Sequence, residues 1–253
     1  MELQIQEFLH TALDQTFIGG IDEAGRGPVL GDMVYCLALQ PVDYEWPENT
    51  NDSKQLTAES REAILKDLKI NYFLVSIPAS YISEHMLNGT SLNEIALLAT
   101  TMLLDRVKDL KVECIYVDTL GHAKHHQVRL ENITKHKVVV ESKADTKYKP
   151  VMGASICAKV YRDSLIGEGM GSGYPGDPNT ILYLDNIHKI FGYSEIVRFS
   201  WKTTKDRTKK LNIKFENEIV IDKKKKPEKG QMKLNFAFAP KKSFPITTEM
   251  LSF

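Results

Sequence analysis

"FIGGIDEAGRGPVLG" (residues 17–31) decides how the rest of the chain is read. Its first half is apolar and glycine-rich, as a buried strand would be, yet two acids, Asp22 and Glu23, follow side by side. A buried, unpaired charge is strongly unfavourable, so the pair needs basic partners or a cation. The Gly/Pro-rich turn behind it leads into "LGDMVYCLAL" (30–39), and together they predict a hairpin with strands over 16–22 and 30–39. Adjacent residues on a regular strand face opposite ways, so Asp22 and Glu23 can share one site only if the strand bends near Ala24–Gly25.

Outward from that stretch, "LTAESREAILKDL" (56–68) predicts a helix capped by Thr57, and "NYFLVSIPA" (71–79) a third strand. "SLNEIALLATTMLLDRV" (91–107) has helical apolar spacing throughout. "ECIYVDTLG" (113–121) reads as a buried strand ending in an acid and a glycine, and "HKVVVESKAD" (136–145) repeats that plan. "VMGASICAKVYRDSLI" (151–166) is a helix whose small residues suit close packing on a sheet, and another helix follows near 178–190. Helices between strands, after an antiparallel start, predict an α/β fold with a mixed sheet whose later strands are parallel.

The 253 residues, 42% of them hydrophobic, suit one large domain with an appendage. No apolar run is long enough for a membrane helix, so no membrane partner is expected, and "MELQIQEFLHTALD" lacks the basic start of a secretory signal. Cys36, Cys114 and Cys157 have no metal or disulfide spacing and read as buried, reduced thiols. His85, His122, His125 and His126 form no ligand pattern, and His125–His126 read as exposed on a helix. Net charge is zero, but residues 201–253 hold fourteen Lys/Arg against six Asp/Glu, so an acidic body carries a basic tail fit for a polyanion. "DKKKKPEKG" (222–230) reads as a solvated linker, and "QMKLNFAFAPKKSF" beyond it as a peptide that docks on a partner.

In open α/β sheets, functional groups gather at the carboxyl ends of parallel strands. Asp22 and Glu23 follow "FIGGI", Asp118 follows "ECIYV", and Asp145 lies just past "KVVVESKA". If those strands are parallel neighbours, four carboxylates converge, and like charges so close need a counterion. Hard divalent cations with oxygen ligands meet that need, and a pair of Mg²⁺ ions ~3.5–4 Å apart can hydrolyse a phosphodiester. Each acid alone would read as a turn or cap residue; the combination points to metal.

These residues resemble a known family. "GIDEAGRGPVLG" (20–31), "DSKQL" (52–56), "LNEIALLAT" (92–100), "YVDTLG" (116–121), "ESKAD" (141–145), "ASICAKVYRD" (154–163) and "GSGYPGDP" (171–178) resemble type 2 ribonuclease H. "DTLG", "GSGYP" and "VRFSW" (197–201) are most similar to the catalytic A subunit of the eukaryotic enzymes. The resemblance implies a ribonuclease H-like fold, with a five-stranded mixed sheet flanked by helices and a smaller C-terminal helical region. It implies a catalytic domain over 1–166, a helical region over 167–221 that completes the substrate site, and a basic tail over 222–253. It further implies cleavage of RNA in RNA–DNA hybrids and incision 5′ of single ribonucleotides in duplex DNA, leaving 3′-hydroxyl and 5′-phosphate ends.

By the same resemblance, Asp22, Glu23, Asp118 and Asp145 are both catalytic and the ligands of Mg²⁺, with Mn²⁺ as substitute. The backbone of Gly25, Arg26 and Gly27 is expected to read the 2′-hydroxyl, which both donates and accepts. Tyr174 is expected to sense the RNA–DNA junction and Lys54 to touch the substrate strand, with Asn93 and Arg162 in the same substrate-binding set. Two accessory subunits of a heterotrimer and a nuclear location are also implied. "QMKLNFAF" is similar to a sliding-clamp docking peptide anchored by Gln231, Leu234 and Phe238, although Ala237 stands where that motif has an aromatic residue. The stretch between "RDSLI" and "GSGYP" is shorter than in longer family members, and "NGTSLNEIA" matches imperfectly. Two other readings compete: a nucleic-acid-binding subunit without catalysis, opposed by the intact acids, and a phosphate-loop nucleotide hydrolase, opposed by the lack of GxxxxGK[ST].

Overall fold

The structure is a computed structural model and describes residues 2–47, 57–119, 123–191 and 193–210. Lys54, His122 and the basic tail lie outside the described residues. One sheet is built from β1 (Ile5–Phe8), β2 (Thr16–Ala24), β3 (Met33–Pro41), β4 (Asn71–Ile77), β5 (Lys111–Asp118) and β6 (Val138–Glu141), in the order β1-β4-β3-β2-β5-β6. The pairs β1–β4, β4–β3 and β3–β2 are antiparallel; β2–β5 and β5–β6 are parallel. All five expected strands are present. The sixth, β1, corrects the expected count: "IQEF" is a four-residue edge strand, half polar, and too short to show an alternating signal. It is held by pairing Ile5 with Val75 and Phe8 with Tyr72, and by Arg106 Nη2 donating to Glu7 Oε2 at 2.8 Å.

The helices are α1 (Ala58–Asp67), α2 (Ala79–Leu87), α3 (Leu92–Arg106), α4 (Ala123–Glu131), α5 (Ala144–Lys147), α6 (Lys149–Ser164), α7 (Pro178–Phe191) and α8 (Lys202–Lys210). Thr57 caps α1 by accepting from Ser60 N at 3.2 Å, as its sequence predicts. Ser91 and Glu94 cap α3 reciprocally. The third strand stops at Ile77 rather than running through Ala79, because Pro78 breaks the ladder and opens α2.

Every residue of β3 is buried, since the sheet is covered on both faces. On one face Phe17, Ile21, Tyr35, Leu37 and Phe73 pack with Ile95, Ala99 and Leu103 of α3. On the other, Cys36, Ala38 and Leu74 pack with Ala154, Cys157 and Ala158 of α6. Small residues let α6 lie almost on the backbone of β2. A Cβ at Gly20 would stand 2.2 Å from Pro150 C, so only glycine fits there. A third cluster joins Val29 and Leu30 to Leu184 and Val197, fastening the C-terminal helices to the turn after β2. All the described residues belong to one compact unit. All three cysteines are free and buried. Among the described residues no helix is long and apolar enough to cross a membrane.

Candidate active site and nucleic-acid groove

The parallel trio β6-β5-β2 brings the carboxyl ends of three strands side by side, and the four acids lie at that end. The strand turns within the expected Ala24–Gly25 stretch: β2 keeps regular register with β3 through Ala24, and the turn comes at Gly25, whose φ is 80°. Asp22 pairs with Cys36 on the α6 face, and Glu23 with Tyr35 on the α3 face. They meet at the sheet's end, where their charges are felt together. Burial raises the Asp22 carboxyl to about 7; Ser155, the Glu23 N–H and Lys159 oppose the rise, and Asp118 adds to it. Burial also raises Glu23 to about 8, with Asp22, Asp118 and Asp145 adding to the rise and Arg26 opposing it.

Asp118 ends β5 and accepts from Ala144 N at 2.9 Å. Asp145 is buried on α5, not at a strand end as its sequence reads, because Lys143 takes a left-handed turn (φ 57°) after β6. The carboxylates are thus close enough to repel, yet among the described residues no three acids, histidines or cysteines are gathered within coordinating reach of one point. The donor set fits a hard divalent cation: every member is a carboxylate, with no thiolate or imidazole among them.

Beside Glu23 opens a cavity of about 1100 Å³, whose lining includes Gly25, Arg26, Gly27, Lys159 and Tyr174. Gly25 is obligatory, since a Cβ there would stand 2.4 Å from Asp32 O. Arg26 extends to α3, where its guanidinium donates to Asn93 Oδ1. Asn93 therefore holds Arg26, a role its imperfect motif did not reveal. Tyr174 remains 45% exposed, and its ring lies beside Gly27, where a Cβ would meet it at 3.4 Å.

Its loop is rigidly braced. Asp177 accepts from Ser172 N (2.6 Å) and Asn179 N (2.9 Å), and those backbone donors hold its carboxyl below the usual range. Val29 N donates to Gly173 O at 2.8 Å, which ties the tyrosine loop to the turn after β2. Arg162 also lines the cavity, but it is buried, donates to Ser172 O at 2.7 Å, and lies 5.5 Å from the Tyr174 ring. What the structure gives it is support of that loop.

Two residues that the sequence shows only as part of a motif prove central. Arg198 is wholly buried and donates to Gly25 O (2.5 Å), Arg26 O (3.1 Å) and Gly31 O (2.9 Å). Trp201 Nε1 donates to Gly27 O at 3.1 Å, and the Trp201 ring lies 4.8 Å from the Arg198 guanidinium. Burial, with Arg162 nearby, lowers Arg198 to about 9, which leaves it charged at neutral pH. The available signal was an arginine set among Ile196, Val197, Phe199 and Trp201.

A model of the Ribonuclease HII family matches residues 19–204, from the strand that carries Asp22 and Glu23 to the start of α8. The chain belongs to the ribonuclease HII family. Its similar relatives include the ribonuclease H2 A subunit of Arabidopsis thaliana, 37% identical over 85% of this chain and 80% of that one. The ribonuclease H2 A subunit of Homo sapiens is 33% identical over 87% and 81%. Among solved structures, the ribonuclease H2 of Pyrococcus horikoshii is 32% identical, with a TM-score of 0.65 over 78% of this chain and 99% of that one. Ribonuclease HII of Archaeoglobus fulgidus, solved as a complex with PCNA, is 31% identical, with a TM-score of 0.65 over 74% and 95%. As a ribonuclease HII, the chain is a ribonuclease H, a hydrolase that cuts within a nucleic-acid strand. The nucleotide-hydrolase reading is excluded.

Proposed function

We propose that this ribonuclease cleaves the RNA strand of RNA–DNA hybrids and incises duplex DNA on the 5′ side of single ribonucleotides. The observation that carries the reading is one groove that has Glu23, a member of the buried acid cluster, in its lining together with the Gly25–Gly27 backbone and the Tyr174 ring beside Gly27. Asp22, Glu23, Asp118 and Asp145 would hold Mg²⁺ or Mn²⁺. Two such ions would supply charge stabilisation at the phosphoryl oxygens and a more acidic water. The Gly25–Gly27 backbone approaches the 2′-hydroxyl as only a glycine-flanked loop can. Tyr174 lies against the sugar that follows, where deoxyribose fits and a second 2′-hydroxyl would crowd the ring. Water adds to phosphorus, the P–O3′ bond to the preceding nucleotide breaks, and its oxygen takes a proton. The ends are a 3′-hydroxyl and a 5′-phosphate.

Lys54, outside the described residues, is assigned to the substrate strand. The eukaryotic relatives are each one lettered component of ribonuclease H2, which supports accessory subunits for this chain, here proposed to be two. A nuclear location, on replicated DNA, goes with that reading. The archaeal relative's complex with PCNA supports a sliding clamp as partner of "QMKLNFAF".

The test is the purified full chain with Mg²⁺ on duplex DNA carrying one ribonucleotide. The expected product is a nick 5′ of the ribonucleotide with a 3′ end that a polymerase extends. Asp118→Asn and Asp145→Asn should each nearly abolish it. Cleavage by either variant within about threefold of wild type, under 1 kcal/mol of barrier, would remove the metal assignment.

A further inference from the structure

The carbonyls of Gly25, Arg26 and Gly27 are all taken from behind, two by Arg198 and one by Trp201. A trans peptide unit sets its C=O and the next N–H in opposite directions, and no peptide among the described residues is cis. Fixing Gly25 O therefore aims Arg26 N–H away from Arg198, and fixing Arg26 O aims Gly27 N–H likewise. Arg198 has no exposed surface, whereas Arg26 and Gly27 line the cavity, so away from Arg198 is toward the groove. Neither N–H donates to any described group. The next residue is Pro28, which has no N–H, so the row of donors ends there.

We propose that Arg198 and Trp201 are positioning residues that aim the paired N–H groups of Arg26 and Gly27 at the 2′-hydroxyl oxygen, and so set how strongly the enzyme prefers a ribonucleotide. The proposal rests on reading Gly25–Gly27 as the ribose-recognising loop. Chemistry favours an arginine for the task. Its planar fork spans three carbonyls at fixed angles, which a lysine's single nitrogen does not reproduce. A buried guanidinium with carbonyl partners holds their direction against a substrate that would otherwise pull the flexible glycines round. The turn is gripped on both sides: Arg198 N donates to Val29 O, and Gly31 N to Ile196 O, each at 2.8 Å.

The experiment measures binding without turnover, with Ca²⁺ in place of Mg²⁺, to two duplexes of one sequence. One is all DNA, and the other carries a single ribonucleotide. For the full-length wild type the ratio of the two affinities is the ribonucleotide preference. Arg198→Lys should lower that preference about tenfold while affinity for all-DNA duplex changes less than about twofold. Trp201→Phe keeps a ring over Arg198 but removes the donor to Gly27 O, and should lower the preference by a smaller factor. An unchanged preference in both variants overturns the proposal, as does an equal loss on both duplexes, which marks a merely structural role. If circular dichroism shows Arg198→Lys unfolded, Trp201→Phe decides alone by the same criterion. A wild type with no preference overturns the reading of the loop itself, and that outcome is distinct from failure of the clamp.

Discussion

Glu23 and Asp22 hold their protons to higher pH in the folded, metal-free chain than unfolded carboxylates do, because both are buried among other acids. The sign follows from linkage. Their contribution to stability is full below about pH 4, where both states are protonated, and is lost as pH rises through about 7 to 8, where the folded carboxyls ionise. Glu23→Gln should therefore match wild type at about pH 4 in chelator and exceed it at pH 8 by roughly 1–3 kcal/mol. Thermal melts at the two pH values measure this, and a variant less stable at both would show that ionised Glu23 is a stabilising contact. Added Mg²⁺ should raise the melting temperature of wild type more at pH 8 than at pH 6, since protons compete for the ligands. Tyr174 tests the other device. Tyr174→Ala should lose about ten- to a hundredfold in kcat/KM on a single embedded ribonucleotide, and less on a continuous hybrid. Equal fractional losses would leave Tyr174 a general support. The acids were legible because each falls at or just beyond a predicted strand end. Arg198 was not, because its partners are backbone carbonyls far away in sequence, and no residue-type pattern records them.

Helix α6 sets the spacing of the site, since it carries Ser155 and Lys159 beside Asp22 and lies directly on β2. Two glycines at that contact should respond differently. At Gly20 an added methyl meets backbone, 2.2 Å from both Pro150 C and Val151 N, and neither can move without lifting the helix. At Gly153 it meets side-chain tips, Trp46 Cη2 at 3.0 Å and Ile70 Cδ1 at 3.2 Å, which can shift. Gly20→Ala should lose about 3 kcal/mol or more in urea unfolding, and Gly153→Ala about 1 kcal/mol or less. The reverse order would show that α6 yields more readily than the Trp46 side chain. The small-residue face of α6 was visible in "GASICA", and parallel later strands followed from strand–helix alternation, whereas the parallel pairing of β2 with β5 entered only as a condition that the structure meets. The short elements were not: β1 and α5 have four residues each, fewer than either periodicity needs to repeat.

The division of charge along the whole chain, a −8 body through residue 200 and a +8 remainder, was evident from composition alone. An acidic body repels a nucleic-acid backbone, and the carboxylates proposed to be catalytic would have to meet that same backbone. Long-range attraction must then come from elsewhere, and the lysines beyond residue 221 are the densest source. The mixed sheet and the groove need none of those residues, since every described element ends by Lys210. Removing 222–253 should therefore leave the maximal rate on saturating substrate unchanged while weakening capture. Because each phosphate contact releases counterions, the loss should be largest at low salt. The slope of log affinity against log salt should become shallower by at least about 2, as expected if only a few of the tail lysines reach phosphates. Anisotropy titrations of full-length and truncated chains between 50 and 200 mM salt, a range of about that width being enough to resolve such a slope, make the measurement. A truncated chain with the same affinity at low salt, but impaired assembly with accessory subunits or a sliding clamp, would assign the tail to protein partners. Unchanged affinity and unchanged assembly together would leave the tail without a binding role.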